Sequence, residues 1–235
     1  MTDPHNNLAA VIPCYNVGPR LRTVVEETLR QVGAAIVVDD GSTDGGADAV
    51  RDLPVRVIAF PRNRGKGHAL LAGIAGALED DAVAAVCLLD ADGQHDPREI
   101  PGLWRAFEAA GADLVIGTRR FEHDTVPWRS RFGNTVTIAV SAWLLGRRLP
   151  DTQCGFRVLG RRFAQDVLAS VAPGRYETEM EMVVKAVRQG YTVIPEPVAT
   201  RYEPGNRSSH FRQLRDSALV YARLFRAARK WRNRA

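Results

Sequence analysis

Two carboxylates one residue apart, Asp90 and Asp92, stand directly after an apolar run, Val86-Cys87-Leu88-Leu89. Carboxylates that alternate at a strand end can converge on one hard cation, and oxygen ligands suit Mg²⁺ or Mn²⁺ rather than zinc. Such cations commonly keep one or two protein carboxylates and take the remaining ligands from substrate phosphates, so the pair implies a diphosphate. Gln94 adds a side-chain carbonyl as a ligand or a hydrogen-bond partner. Asp-Gly also occurs in solvated turns. The position directly after a buried strand favours the metal reading.

A second cluster, Asp39-Asp40-Gly41-Ser42-Thr43-Asp44, also follows an apolar run. Here Asp40 can accept from a base N–H or from ribose hydroxyls, while Asp44 caps the helix that follows. Tyr15 and Asn16, one strand over, are placed to hold the same nucleoside. The third cluster, Asn63-Arg64-Gly65-Lys66-Gly67, has the composition of a phosphate-binding loop at a helix N-terminus. A glycine turn with solvated basic residues is its alternative. The spacing is not that of a P-loop. No G-x-G-x-x-G opens the first strand-helix unit, which argues against a dinucleotide-dependent dehydrogenase.

Further along, Arg119, Arg120, Arg129, Arg131, Arg157 and Arg201 are suited to a second phosphate. Asp151 is a lone carboxylate in the segment Asp151-Thr-Gln-Cys-Gly-Phe-Arg157. Cys154 has no evident His partner and Cys87 falls in a strand, so both read as core rather than nucleophile. The five histidines have no metal-ligand spacing, and three cysteines make no disulfide framework, which points to a reducing compartment.

Positioning these groups requires strands whose ends converge. Residues 8–13, 35–39, 55–60, 83–90 and 113–117 read as strands. Residues 20–31, 44–52, 67–79 and 97–110 read as helices, with Asp44 and Asp96 as N-caps and Pro97 in a first-turn position. Strands apolar throughout and separated by helices indicate a doubly wound, mostly parallel sheet covered on both faces, an α/β fold. Ligands of such sheets bind outside the carboxyl ends of the strands, where polar groups follow all five: residues 13–16, 39–42, 63–67, 90–94 and 118–120. Beyond Arg120 the spacing predicts helices over 128–147, 161–171 and 177–189, a short strand over 155–159 and an edge strand over 191–198 interrupted by Pro195 and Pro197. One domain over 1–235 is expected, with a nucleotide-sugar half at 8–117, an acceptor-side half at 118–206 and a basic helix at 207–235.

The chain has 235 residues, 45% of them hydrophobic and 25% charged, which excludes disorder, collagen and coiled coil. No apolar run reaches the length of a membrane span, and residues 1–7 lack a signal-peptide core, so a cytoplasmic location is expected. Charge is uneven: residues 201–235 carry ten Lys/Arg and two Asp/Glu, whereas the first 200 carry 22 and 25. The tail repeats apolar residues at helical spacing, from Phe211 to Trp231, with arginines between them. It reads either as a basic amphipathic helix lying on the anionic inner face of a membrane or as a helix docked on the protein's own core. No nucleic-acid module accompanies it, so nucleic acid is not expected as a partner.

Taken together, Pro13-X-Tyr-Asn, Asp39-Asp-Gly-Ser-Thr-Asp, Asn63-Arg-Gly-Lys-Gly and Asp90-Ala-Asp-Gly-Gln resemble the inverting glycosyltransferase family 2. Asp151-Thr-Gln-Cys-Gly-Phe-Arg157 and the segments from Tyr176-Glu-Thr-Glu-Met to Ser209-His-Phe-Arg212 resemble its polyprenyl-phosphate (dolichyl-phosphate-type) mannosyl and glucosyl transferase branch. That resemblance implies a GT-A fold, a nucleotide-diphosphate sugar, UDP before GDP, and Mg²⁺ or Mn²⁺. It implies donor contacts from Pro13, Tyr15, Asn16, Asp40, Lys66, Asp90 and Ala91, and a metal held among Asp90, Asp92 and Gln94. Arg119 and Arg131 match phosphate-facing catalytic positions, and Arg157, Arg201 and Ser209 match acceptor or phosphate contacts. The reading is therefore hexose transfer to a polyprenyl phosphate. A glycan or small hydroxyl acceptor, for which Asp151 would be the general base, is the alternative, followed by a sugar-1-phosphate nucleotidyltransferase.

Overall fold

The structure, a computed structural model, describes residues 7–119, 154–174, 177–199 and 229–231. Seven strands form one sheet: β1 Leu8–Cys14, β2 Ala34–Asp39, β3 Arg56–Ala59, β4 Ala85–Leu88, β5 Leu114–Arg119, β6 Arg157–Gly160 and β7 Val193–Val198. Their order is β3-β2-β1-β4-β6-β5-β7. The β1–β2, β1–β4, β2–β3 and β5–β7 pairs are parallel, and β6 runs antiparallel between β4 and β5. That insertion ties the first half of the chain to the second within one sheet.

Helices cover both faces, as continuous apolar strands require. Leu8, Ala10, Ile12 and Cys14 of β1 face α1 (Arg20–Leu29) and α3 (Ile100–Ala110), through Leu21, Val25, Leu103 and Trp104. Ala9 and Val11 face the other core, built from α2 (Lys66–Leu78), α4 (Arg161–Ser170) and α5 (Glu177–Arg188) through Leu70, Ile74, Phe163 and Val183. β7 lies at the sheet edge, as its prolines require. The Thr192 carbonyl accepts from Leu114 N, so alternation turns residues 193, 195 and 197 outward, where Pro195 and Pro197 forfeit no ladder bond.

The helix expected over 44–52 does not form; a single 3-10 turn, Asp48–Val50, stands there. Gly45 and Gly46 are poor helix formers, and the Asp44 carboxylate accepts from Gly46 N and from Gly18 N, so it closes a loop instead of capping a helix. At Asp96 the expected cap is present, its side chain accepting from Arg98 N ahead of Pro97. Residues 128–147, and those after 207 other than 229–231, lie outside the described residues.

The described end of the tail docks on the protein. Trp231 is 1% exposed, and Lys230 Nζ donates to the Ser170 carbonyl at 2.8 Å and pairs with Glu181 at 2.6 Å. Of the two readings of the tail, Lys230 and Trp231 follow the docked one, their groups turned onto α4 and α5. No helix among the described residues is long and apolar enough to cross a membrane.

All three cysteines are buried. The Cys14 thiol is pushed up to about 12 by burial first, then by the carboxylates of Asp39, Asp44 and Asp40. At pH 8 about one such thiol in ten thousand is ionised. Timed iodoacetamide labelling read by mass spectrometry should find Cys14 inert at that pH in native protein, with a rate still rising above about pH 10. Labelling at the speed of a free thiol would contradict this burial.

Candidate active site

The loops after β1 and β2 are fastened to each other. Ser42 N donates to Asp39 Oδ1 at 2.8 Å, Asn16 N donates to Ser42 Oγ at 3.0 Å, and Thr43 N donates to Asn16 Oδ1 at 2.8 Å. Asn16 adopts φ 50°, which an Asn side chain tolerates. Its side-chain carbonyl oxygen is thus turned to the neighbouring loop. Tyr15 stays 42% exposed at the rim, its ring available for stacking. Pro13 is buried within β1 opposite Val38, and Ala91 is buried in the core, so what Ala91 offers a ligand is backbone.

Asp40 also acts one step back from the surface. Its carboxylate is buried and accepts from Arg64 N at 2.7 Å and from Gly65 N at 2.8 Å. Gly67 N is taken by the Gly174 carbonyl at 2.9 Å, and His68 N by Gly65 O. This narrows the phosphate-loop reading: the N–H groups of Arg64, Gly65, Gly67 and His68 already have partners, so the loop's side chains, Lys66 among them, are what it offers an anion. Gly67 must be glycine, because a Cβ there would lie 2.1 Å from Thr178 Oγ1 and 2.5 Å from Gly174 O. That close approach seats the start of α2 against the start of α5.

Lys66 Nζ reaches Asp90 Oδ1 at 2.6 Å and Glu179 Oε1 at 3.2 Å. Burial alone would lower the Lys66 pKa, but Asp90 and then Glu179 outweigh it and hold the ammonium protonated well above the ordinary lysine range. Burial likewise works to raise the Asp90 carboxyl, and Lys66, with smaller help from His95 and Arg157, brings it below the usual range. Asp92 is raised by burial and by the Asp90 charge, against a hydrogen bond from Gln94 N at 2.9 Å. The two carboxylates are therefore unequal: one is neutralised by an ammonium, the other is short of positive charge.

That shortage is what a divalent cation relieves. Among the described residues no three His, Cys, Asp or Glu side chains cluster as a closed metal cage. Two carboxylates with oxygen donors and open positions fit Mg²⁺ or Mn²⁺ shared with phosphate. Asp90 and Asp92 would hold it.

Arg157, expected to contact an acceptor or phosphate, is wholly buried. Its Nε donates to the Cys154 carbonyl at 2.8 Å and its Nη1 to the Glu179 carbonyl at 2.6 Å, so it clamps the start of β6 to α5. Cys154, read as lacking a His partner, lies 3.6 Å from His95 Nε2. Both are buried, so the core reading of the thiol stands. Glu179 went unrecognised as a site residue. Its signals were a carboxylate in the first turn of the helix expected over 177–189 and its place in the Tyr176-Glu-Thr-Glu-Met segment. The Arg119 side chain and Asp151, Arg131, Arg201 and Ser209 lie outside the described residues.

Residues 9–168 match the family described as Glycosyl transferase family 2. The chain belongs to glycosyl transferase family 2. It is 32% identical over 208 residues to the polyprenol monophosphomannose synthase of Mycolicibacterium smegmatis, spanning 83% of this chain and 77% of that protein. It is 30% identical over 210 residues to the undecaprenyl-phosphate mannosyltransferase of Micrococcus luteus, spanning 80% and 81% of the two. The fold matches the glucosyl-3-phosphoglycerate synthase of Mycobacterium tuberculosis in complex with UDP, with a TM-score of 0.72 at 20% identity over 94% of this chain and 80% of that one. Another structure of that synthase, in complex with Mn²⁺, UDP and glucosyl-3-phosphoglycerate, matches with a TM-score of 0.70 at 20% identity over the same shares. The expected GT-A architecture is thus the observed one. As a family 2 member the protein is a glycosyltransferase, which sets aside the nucleotidyltransferase alternative.

Proposed function

We propose that this family 2 enzyme transfers a hexose, with inversion, from a nucleotide-diphosphate sugar to a polyprenyl-phosphate-type lipid, with Mg²⁺ or Mn²⁺ as cofactor. The observation that carries the donor half is the unequal carboxylate pair Asp90–Asp92 with Lys66 beside it at the carboxyl end of β4. The acceptor half is supported by two relatives at 30% identity or more, whose names specify a polyprenol monophosphomannose product and an undecaprenyl-phosphate acceptor. UDP is the nucleotide we favour, because it is the one bound in the matching fold.

In this reading an oxygen of the acceptor phosphate attacks the anomeric carbon from the face opposite the nucleotide. The new C–O bond forms as the bond to the diphosphate breaks, and the electron pair leaves with the diphosphate. When bound, the cation would stabilise the charge gathering on that leaving group. Lys66 adds an ammonium at the same place, Tyr15 offers a ring to the base, and Arg119, Arg131, Arg201 and Ser209 supply further phosphate contacts. A phosphate monoester is already ionised near neutral pH, so no general base is required. Asp151 then orients the site.

The test is a panel of nucleotide sugars offered with polyprenyl phosphate or with 3-phosphoglycerate, products read by mass spectrometry. The expected product is a polyprenyl-phosphate hexose. In that assay Asp151→Asn should lower the rate without changing the shape of the pH–rate profile. Loss of the limb that reports a general base would assign a hydroxyl acceptor instead.

A further inference from the structure

One carboxylate oxygen of Asp90 already carries an ammonium. The carboxylate lies over Gly155, where a side chain would collide with it: a Cβ there would stand 2.5 Å from Oδ2 and 3.1 Å from Oδ1. Oδ1 is the seat of the Lys66 ammonium at 2.6 Å. A divalent cation bound between Asp90 and Asp92 therefore shares the Asp90 carboxylate with the Lys66 ammonium, and the two positive charges repel. Simple expulsion of the ammonium is costly, because a half-buried charge needs a partner.

Glu179 supplies that partner. Its side chain is 7% exposed and its Oε1 lies 3.2 Å from Lys66 Nζ, beyond the tighter contact to Asp90. The backbones carrying the two residues are locked together: Gly67 N donates to Gly174 O, Gly174 N donates to Thr178 Oγ1, and Arg157 Nη1 donates to Glu179 O. The Lys66 side chain can thus shift by one contact while both ends of the device stay fixed. With all three carboxylates ionised, the cluster of Asp90, Asp92, Glu179 and Lys66 carries the negative charge that one divalent cation neutralises. Keeping the ammonium in place preserves that balance.

We propose that Glu179 is a positioning residue that gives the Lys66 ammonium a second seat, so that Lys66 yields Asp90 Oδ1 to a divalent cation and remains beside the donor diphosphate. This rests on the assignment of Asp90 and Asp92 as the metal carboxylates. It makes Lys66 a competitor of the cation when nucleotide is absent and a helper when the diphosphate is present.

The experiment measures Mn²⁺ binding by the electron paramagnetic resonance signal of free Mn²⁺, with and without UDP, on the full chain. Without UDP, Lys66→Gln should tighten Mn²⁺ binding about tenfold, since the competitor is gone. With UDP, the same variant should lose at least that advantage. Glu179→Gln should weaken Mn²⁺ binding about tenfold, because Lys66 then holds Asp90 alone. In a Lys66→Gln background the cost of Glu179→Gln should fall by more than half. Equal costs in both backgrounds, or unchanged or weaker Mn²⁺ binding by Lys66→Gln, would overturn the proposal. A misfolded variant cannot mimic the tightening, so Lys66→Gln decides the matter even if Glu179→Gln fails to fold. If the parent binds no Mn²⁺ with UDP present, the metal assignment falls first and this inference with it. If the parent binds and Lys66→Gln does not tighten, the inference alone is lost.

Discussion

Asp92→Ala should abolish sugar transfer and leave the protein folded. The surroundings of Asp92 disfavour its charge: burial raises its pKa, the neighbouring Asp90 raises it further, and one backbone hydrogen bond from Gln94 N works the other way. A carboxylate kept charged against its surroundings contributes little to stability, so its removal should move the melting temperature by no more than a few degrees. Transfer should fall by at least about a hundredfold, the usual cost of losing one group that stabilises a developing charge. Asp90→Ala should behave differently. It takes away the closer of two partners of the Lys66 ammonium and leaves that half-buried charge on Glu179 alone, so it should lower both activity and stability. Rates, melting curves and Mn²⁺ binding on the two variants together make the comparison. Full activity of Asp92→Ala in the presence of a chelator would end the metal assignment.

The inequality between Asp90 and Asp92 marks the limit of what the sequence could say. Strand-end clusters are local in sequence, and the carboxyl-end rule gathers them without knowledge of any contact. Hence the sheet, the two helical faces and the location of the site were legible. The partners of each group were not, because they come from far along the chain. Lys66 meets Glu179 across 113 positions, and Arg157 spends its guanidinium on carbonyls of Cys154 and Glu179. By residue type alone Arg157 was one more phosphate-binding arginine. Burial turned it into a clamp. Asp40 gained a second task by the same logic: a loop of glycines and basic residues carries N–H groups that need acceptors, and the nearest strand-end carboxylate supplies them. The helix expected over 44–52 failed for a local reason, since an Asp that can close a turn through Gly46 N and Gly18 N competes with its role as a cap.

The tail gives the second large effect. Trp231 closes over Lys185, whose side chain is fully buried and whose Nζ bonds Asp166 Oδ2 at 2.6 Å and Gln189 Oε1 at 2.5 Å. That ammonium lies 4.2 Å from the centre of the Trp231 ring, and Lys230 Nζ lies 4.6 Å from it. The indole is thus both the apolar cover of a buried charge and a π-face for two cations, a geometry that gains strength where water is excluded. Trp231→Ala should cost about 3–5 kcal/mol, the range for deleting a buried aromatic side chain. For a chain of this size that is a fall in melting temperature on the order of 10 °C. Lys230→Gln should cost far less, about 0–1 kcal/mol, because its pair with Glu181 is half exposed and screened by salt. Thermal melts of the two variants, with vesicle flotation at low and high salt, separate docking from membrane attachment. Docking predicts a large loss of stability for Trp231→Ala and no change in flotation for Lys230→Gln. A Trp231→Ala protein that melts with its parent would show that the indole does not cover Lys185 in solution, and would return this end of the tail to the membrane reading.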